Sequence, residues 1–327
     1  MPDIQYLLLL QNFRNATNDI FKPFAESISL FAVTFLIMIP VFIYWVVDKH
    51  KGLYALASYY LCCGFNAVVK LTACIYRPWI RDPRIMPAGN AIETATGYSF
   101  PSGHTSTAGP IYGGIAVGYR KKLPVLSVIC LIALALTAFS RNYLGVHTPQ
   151  DVLVALLESA LSLYFMAKIF DYLHDHSEKE KLFLIGMFVF GWLAIIYITF
   201  KPYPLTYIDG KLLVDPQKMM NDGYGDTSLL IAFPLARTIE HKWVRFRAAG
   251  VSAKGILIGI IGSIPLFIML KYMRHVLDGM LGSHWGHFMN SFILVLYCIA
   301  IFPIVISLVC GREDRKGASR LIRSTEG

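Results

Sequence analysis

Apolar runs of about twenty residues, the length that crosses a bilayer as a helix, recur along this chain between short polar stretches. The first covers 24–47 and ends at Asp48-Lys49-His50-Lys51; the second covers 53–76 and carries Lys70 near its far end. After a polar loop over 77–100 come a short Gly-rich run at 105–119, then 123–139, 149–170 and 182–200. A second polar loop, 201–226, precedes a weaker run at 227–239, and two further runs occupy 251–270 and 288–309. Residues 1–23 mix Ile4, Tyr6 to Leu10 and Phe13 with polar positions and predict an amphipathic helix lying at the interface. The pattern predicts an all-α fold, a polytopic transmembrane helical bundle of about nine spans. A core over 24–180 is followed by additional helices over 181–310 and a polar, disordered tail over 311–327.

Composition agrees with this, since 55% of the 327 residues are hydrophobic. The formal charge of +9 raises nucleic acid as a partner. The basic residues, however, sit in short clusters between apolar runs, so membrane topology explains the charge and no nucleic-acid partner is expected. If nine spans alternate, the clusters at 48–51, 120–122, 178–181, 241–247 and 312–316 all fall on one side, which the positive-inside rule makes the cytoplasm. The N-terminus, the 77–100 loop and the 141–148 turn then face outward, across a bacterial plasma membrane or into a lumen in a eukaryote. The six cysteines lie inside apolar segments and read as small buried hydrophobes; no metal-ligand spacing is visible, and no metal or cofactor is expected.

Three charged stretches converge on the outward side. Ser140-Arg141, then His147-Thr148-Pro149-Gln150-Asp151, put an arginine, a histidine and an aspartate beside one turn, where ionisable side chains at membrane depth are costly and hence functional candidates. Thr148 suits a helix N-cap, Pro149 its first position and Asp151 its third. Asp151 therefore reads either as half of a capping box or as the carboxylate that fixes the tautomer of His147. Upstream, Pro101-Ser102-Gly103-His104 opens another helix, whose first backbone N–H groups form an anion site. Lys70 and Arg77 lie seven residues apart, a spacing that stacks them on one helical face. Lys70, Arg77 and Arg141 supply positive charge for phosphate oxygens, with Ser102 and the Gly103 backbone adding donors. His147 is the candidate nucleophile, and His104 the acid for a leaving alkoxide.

Lys70-(six residues)-Arg77-Pro78, Pro101-Ser102-Gly103-His104 and Ser140-Arg141-(five)-His147-(three)-Asp151 together resemble the signature of the type 2 phosphatidic acid phosphatase superfamily. The resemblance covers roughly 50–170. It implies phosphate binding by Lys70, Arg77, Ser102, Gly103, His104 and Arg141, nucleophilic attack by His147, acid catalysis by His104, and orientation of His147 by Asp151. It further implies metal-independent hydrolysis of a membrane lipid phosphate or diphosphate: phosphatidate, phosphatidylglycerol phosphate, undecaprenyl diphosphate or a sphingoid phosphate. The layout looks more like glucose-6-phosphatase or the sphingosine-1-phosphate phosphatases than like six-span lipid phosphatases. The alternatives are a lipid phosphotransferase, a phosphatase of a soluble ester, and an inactive lipid-binding or transport relative.

Other positions carry two readings. Lys271, Arg274, His275, His284 and His287 sit in an expected outward loop, as headgroup ligands or as snorkelling side chains. The 201–226 loop either caps the pocket or simply connects. Glu158 shares a helical face with Asp151 and calls for a buried cation as partner. Trp45, Trp79 and Trp285 read as interface anchors, and Tyr98 and Phe100 as either lipid-access or belt residues.

Overall fold

The structure is a computed structural model and describes residues 1–208 and 210–311. It is helical almost throughout. Helix α1 (Pro2–Ala16) is followed by α2 (Lys22–Thr34) and α3 (Met38–Phe42), the latter running into a π-helical turn at Ile43–Val47. The chain bends by 46° between Thr34 and Met38. Asp48 then caps the long α4 (Lys49–Ala73), its Oδ1 accepting from Lys51 N at 3.0 Å. A short α5 (Pro78–Arg81) opens the first polar loop, and α6 (Gly103–Tyr119), α7 (Pro124–Tyr143), α8 (Pro149–Asp175) and α9 (Glu180–Phe200) follow. A two-residue hairpin, β1 (Tyr207–Ile208) against β2 (Lys211–Leu212), leads into α10 (Pro216–Ile239). The chain closes with α11 (Ala253–Ile268), α12 (Arg274–Leu281), α13 (Ser283–Leu296) and α14 (Phe302–Cys310). Proline at the first positions of α1, α2, α5, α7, α8 and α10 marks their starts, where the missing N–H removes a donor that would have no partner.

Helix α4 is the centre, packed against α6, α8, α9 and α10. Small residues let these helices approach closely. A Cβ on Gly109 of α6 would stand 2.1 Å from Ser159 Oγ of α8, and one on Gly114 would stand 2.9 Å from the Ala55 Cβ of α4. Gly109→Val is therefore expected to lower stability by about 1–3 kcal/mol, the usual cost of overpacking, read as a fall in melting temperature of the detergent-solubilised protein. An unchanged melting temperature would mean that α6 and α8 can part without penalty. On the far side of α4, Tyr44, Trp45, Leu56, Leu230, Phe233 and Phe246 join the core. Trp45 is fully buried, with its Nε1 donating to Cys298 O at 2.7 Å, so it is a core residue and not an interface anchor. An indole N–H with an internal acceptor has no need of the headgroup layer.

Among the described residues, six helical segments are long and apolar enough to cross a membrane, or seven with the bent pair Lys22–Thr34 and Met38–Val47 counted as one. Two of the nine expected spans are not among them. Helix α6 has 17 residues, and α10 carries Asp222, Asp226 and Arg237. Both lie inside the bundle, α6 between α4, α7 and α8 and α10 between α4, α9 and α13. Helices shielded by other helices need less apolar surface of their own. The stretch expected as an outward loop over 271–286 is instead helical on both sides of a turn at Gly282, which has φ +78°.

Charged clusters gather at the end of the bundle where α4 begins. Lys49 meets Glu240 at 2.9 Å, Arg237 meets Glu180 at 2.7 Å, and Lys51 Nζ lies 4.4 Å from the Tyr119 ring centre. The clusters at 48–51, 120–122, 178–181 and 241–247 thus share one end. The cluster expected at 312–316 and the tail beyond it lie outside the described residues.

Candidate active site

The three motifs meet at the opposite end of the bundle. Helix α4 stops at Ala73, with Cys74 in the left-handed region (φ 48°), so Lys70 and Arg77 do not stack on one helical face. Arg77 is instead the N-cap of α5 and reaches inward. Its Nε donates to Gly97 O at 2.8 Å, while Nη1 donates to Val146 O at 3.0 Å and meets His147 Nε2 at 2.9 Å. Because a guanidinium can only donate, Nε2 of His147 must be the accepting, unprotonated nitrogen. The ring proton then sits on Nδ1, which faces Asp151 Oδ2 at 3.3 Å. Burial, with the neighbouring Arg77 charge, holds the imidazole pKa well below its usual value and keeps the ring neutral.

Asp151 satisfies both sequence readings at once. Its Oδ2 accepts from Thr148 N at 2.8 Å while its own N–H donates to Thr148 Oγ1 at 3.4 Å, completing a capping box. The same oxygen faces His147 and accepts from Ser99 Oγ at 2.6 Å. Asn142 Nδ2 fixes the turn from the other side by donating to His147 O at 2.9 Å. Gly145, at φ +76° and with Pro87 Cα 3.5 Å from where its Cβ would stand, allows the tight return from α7 to α8.

The remaining cations line the same interior. Lys70 Nζ donates to Tyr98 O at 3.2 Å and to Pro101 O, which leaves one of its three protons. Arg141 is fully buried; its Nη1 donates to Ser29 Oγ of α2, while Nε and Nη2 have no partner among the described residues. Buried His104 Nε2 has none either. Arg141, His147, Arg77 and Lys70 are all within electrostatic reach of His104. Ser102 departs from expectation in one respect. Its N–H donates to Asp151 O at 2.9 Å, tying the starts of α6 and α8 together, so it is not free for an anion. The first-turn N–H groups of Gly103 and His104 remain, and a Cβ on Gly103 would meet nothing within 4 Å.

Several site contacts have no sequence motif behind them. Ser29, Thr96, Ser99 and Asn142 are ordinary polar residues whose importance comes only from the fold. Thr96 Oγ1 donates to Asp222 Oδ2 of α10, and Asp222 Oδ1 is 3.8 Å from His287 Nε2 of α13. The later helices thereby reach the loop whose Gly97 and Ser99 hold Arg77 and Asp151. Among the described residues no cation is bonded to Glu158, although Lys70 is within electrostatic reach; Asn66 Nδ2 donates to its Oε2 at 2.7 Å. His284 stacks on Tyr224 with ring centres 4.9 Å apart, and Asp278 Oδ1 meets His287 Nδ1 at 3.2 Å. Neither histidine contacts the motif residues. A cleft of about 340 Å³ opens onto the site, walled by Asp3, Ile75, Arg81 and Phe100 with Thr148 and Asp151 at its floor.

Residues 51–175 match a family model described as the PAP2 superfamily. Phosphatidylglycerophosphatase B of Bacillus subtilis (strain 168) is 36% identical over 104 residues, covering 30% of this chain and 50% of that protein. The chain thus spans half the length of the curated relative it matches. No solved structure matches.

Proposed function

Through residues 51–175 this chain belongs to the type 2 phosphatidic acid phosphatase superfamily, and from that premise we propose that it is an integral membrane phosphatase that hydrolyses a lipid-linked phosphate by way of a phosphohistidine. The observation that carries this reading is the set of buried nitrogens without partners among the described residues, the Arg141 donors Nε and Nη2 and His104 Nε2, beside an Arg77–His147–Asp151 chain. Burying polar N–H groups unpaired is costly, and a phosphate oxygen is the acceptor that suits them.

In this mechanism the guanidinium and ammonium groups of Arg77, Arg141 and Lys70 neutralise the phosphoryl oxygens, with the amides of Gly103 and His104 filling the open side. As Arg77 Nη1 turns its N–H from His147 Nε2 to a phosphoryl oxygen, the freed Nε2 lone pair forms a bond to phosphorus while the bond to the leaving oxygen breaks. His104 donates a proton to that oxygen, then takes one from the water that cleaves the N–P bond. Asp151 holds the Nδ1 proton throughout and stabilises the ring as it gains charge. These cations supply the charge a metal would, so the reaction is assigned as metal-independent.

The gathering of basic clusters at one end of the bundle supports an orientation for this reading. If α6 and α10 also traverse the bilayer, nine spans place the basic clusters in the cytoplasm and the pocket on the outer or lumenal face. The decisive experiment is phosphate release from a panel of lipid phosphates in detergent with EDTA present. Release that survives chelation is expected; release abolished by EDTA would sink the metal-free assignment, and turnover confined to soluble esters would sink the lipid one.

A further inference from the structure

Arg81 belongs to none of the three motifs, yet it lines the same 340 Å³ cleft as Thr148 and Asp151 and is the sole cation among the residues lining it. It also lines a neighbouring cleft of about 290 Å³, shared with Gln5 of α1 and with Arg84. Its Nη2 donates to Asp3 Oδ2 at 2.7 Å and lies 3.2 Å from Met1 Sδ. Asp82, the nearer carboxylate in sequence, is taken by Arg84 at 2.7 Å and does not compete for Arg81. Asp3 is held in place by its helix. Gln11 Nε2 of α1 donates to Arg84 O at 3.0 Å, its Oε1 accepts from Met86 N at 2.7 Å, and Arg14 Nη2 donates to Met86 O at 2.7 Å. The guanidinium is three-quarters buried, with a side-chain exposure of 23% against 11% for Asp3. An ion pair in so sheltered a place is stronger than a surface pair, and its cation is ready for a different anion.

Thr148 and Asp151, which flank the His147 turn, line this cleft together with the apolar Ile75 and Phe100, so a lipid whose scissile phosphate sits on His147 is placed in this proposal with its next groups along the cleft. A lipid with a single phosphate has no second anion to offer there. A diphosphate, or a headgroup with a phosphodiester beyond the scissile monoester, carries a second phosphate into the wall where Arg81 stands. Resting on the lipid-phosphatase reading above, we propose that Arg81 is a subsite for a second substrate phosphate, which displaces the Asp3 carboxylate, and that the enzyme thereby selects lipids with two phosphates over those with one.

The test compares the wild-type full chain with Arg81→Ala, Arg81→Lys and Asp3→Asn on phosphatidate, phosphatidylglycerol phosphate and a polyprenyl diphosphate. Arg81→Ala is expected to raise KM for the two-phosphate lipids by about ten- to a hundredfold, the range for a lost charge-assisted hydrogen bond. Its effect on phosphatidate should stay within about threefold, and Arg81→Lys should restore part of the loss, since it keeps the charge but not the fork. Asp3→Asn should lower KM for the two-phosphate lipids. An equal loss on all three lipids, or none on any, would overturn the proposal. A second arm needs no turnover: pyrophosphate should raise the melting temperature of the wild type more than inorganic phosphate does, and this difference should vanish in Arg81→Ala. Equal stabilisation of the wild type by both anions would refute the subsite even if every lipid were inert, a result that by itself would count against the phosphatase reading instead.

Discussion

Replacing His147 by alanine is expected to reduce lipid phosphate release by about 10⁴-fold or more, the scale seen when an enzyme loses its nucleophile. The expectation rests on geometry that leaves no substitute. Nε2 of His147 is the lone pair facing Arg77, and Asp151 on the other side is already committed to Thr148 N and Ser99 Oγ. The variant also leaves Arg77 Nη1 with only Val146 O as partner, so some loss of stability is expected, and a folded, monodisperse preparation must be shown first. A covalent readout separates a lost nucleophile from a misshapen pocket. Rapid quenching of the wild type with labelled substrate should trap a protein-bound phosphate that survives alkali and is released by acid, as an N–P bond is; the alanine variant should trap none. A folded His147→Ala protein that still accumulates that adduct would place the nucleophile elsewhere, and His104 would be the next candidate. Asp151→Asn is the companion. It keeps the Thr148 contact while removing the charge that stabilises the ring, so its defect should fall between those of wild type and His147→Ala.

How much of this was legible in the sequence depended on whether a contact had a local signature. Thr148, Pro149 and Asp151 announce a helix start by type and spacing alone, and that helix start is what aims Asp151 at His147. The start of α6, proposed as an anion site, was legible in the same way, except that Ser102 N–H is taken by Asp151 O. That bond joins residues distant in the chain, and no periodicity encodes it. The stacking of Lys70 and Arg77 failed because α4 ends at Cys74 in a left-handed conformation, which a cysteine gives no reason to expect. Trp45 departs from the sequence expectation for a related reason. A tryptophan near the end of an apolar run fits a headgroup belt, and only the approach of Cys298 O turns it inward. Glu158 has Lys70 as the cation within electrostatic reach, but its hydrogen bond comes from an amide, Asn66, which helical spacing gives no reason to expect. Thr96 and Asp222 show the limit most clearly. They lie 126 residues apart, on opposite sides of the boundary at residue 175 where the family match ends, yet they touch beside the pocket.

Arg141 provides the second large expected effect, and it works in two directions. A guanidinium with zero exposure, paired among the described residues only with the Ser29 hydroxyl through Nη1 and with Nε and Nη2 unpartnered there, pays the desolvation cost of a charge without a counter-ion among those residues. That cost is of order several kcal/mol in a buried setting, and replacing such a charge by an apolar residue of similar length is often stabilising. Arg141→Met is therefore expected to raise the melting temperature of the ligand-free protein by about 2 °C or more, while lowering kcat/KM by about 10²–10³-fold through loss of a preorganised donor to the transition state. Orthovanadate links the two effects. At a hundredfold excess over its Kd a ligand stabilises the folded state by about 2.7 kcal/mol, so vanadate should raise the wild-type melting temperature and do much less for the methionine variant. A less stable Arg141→Met protein would mean that Ser29 and the surrounding helices need the arginine for packing. A more stable but equally active one would remove Arg141 from the phosphate site. The expected combination, a gain in stability with a loss of both activity and vanadate response, identifies a charge that the fold tolerates because an anion completes it.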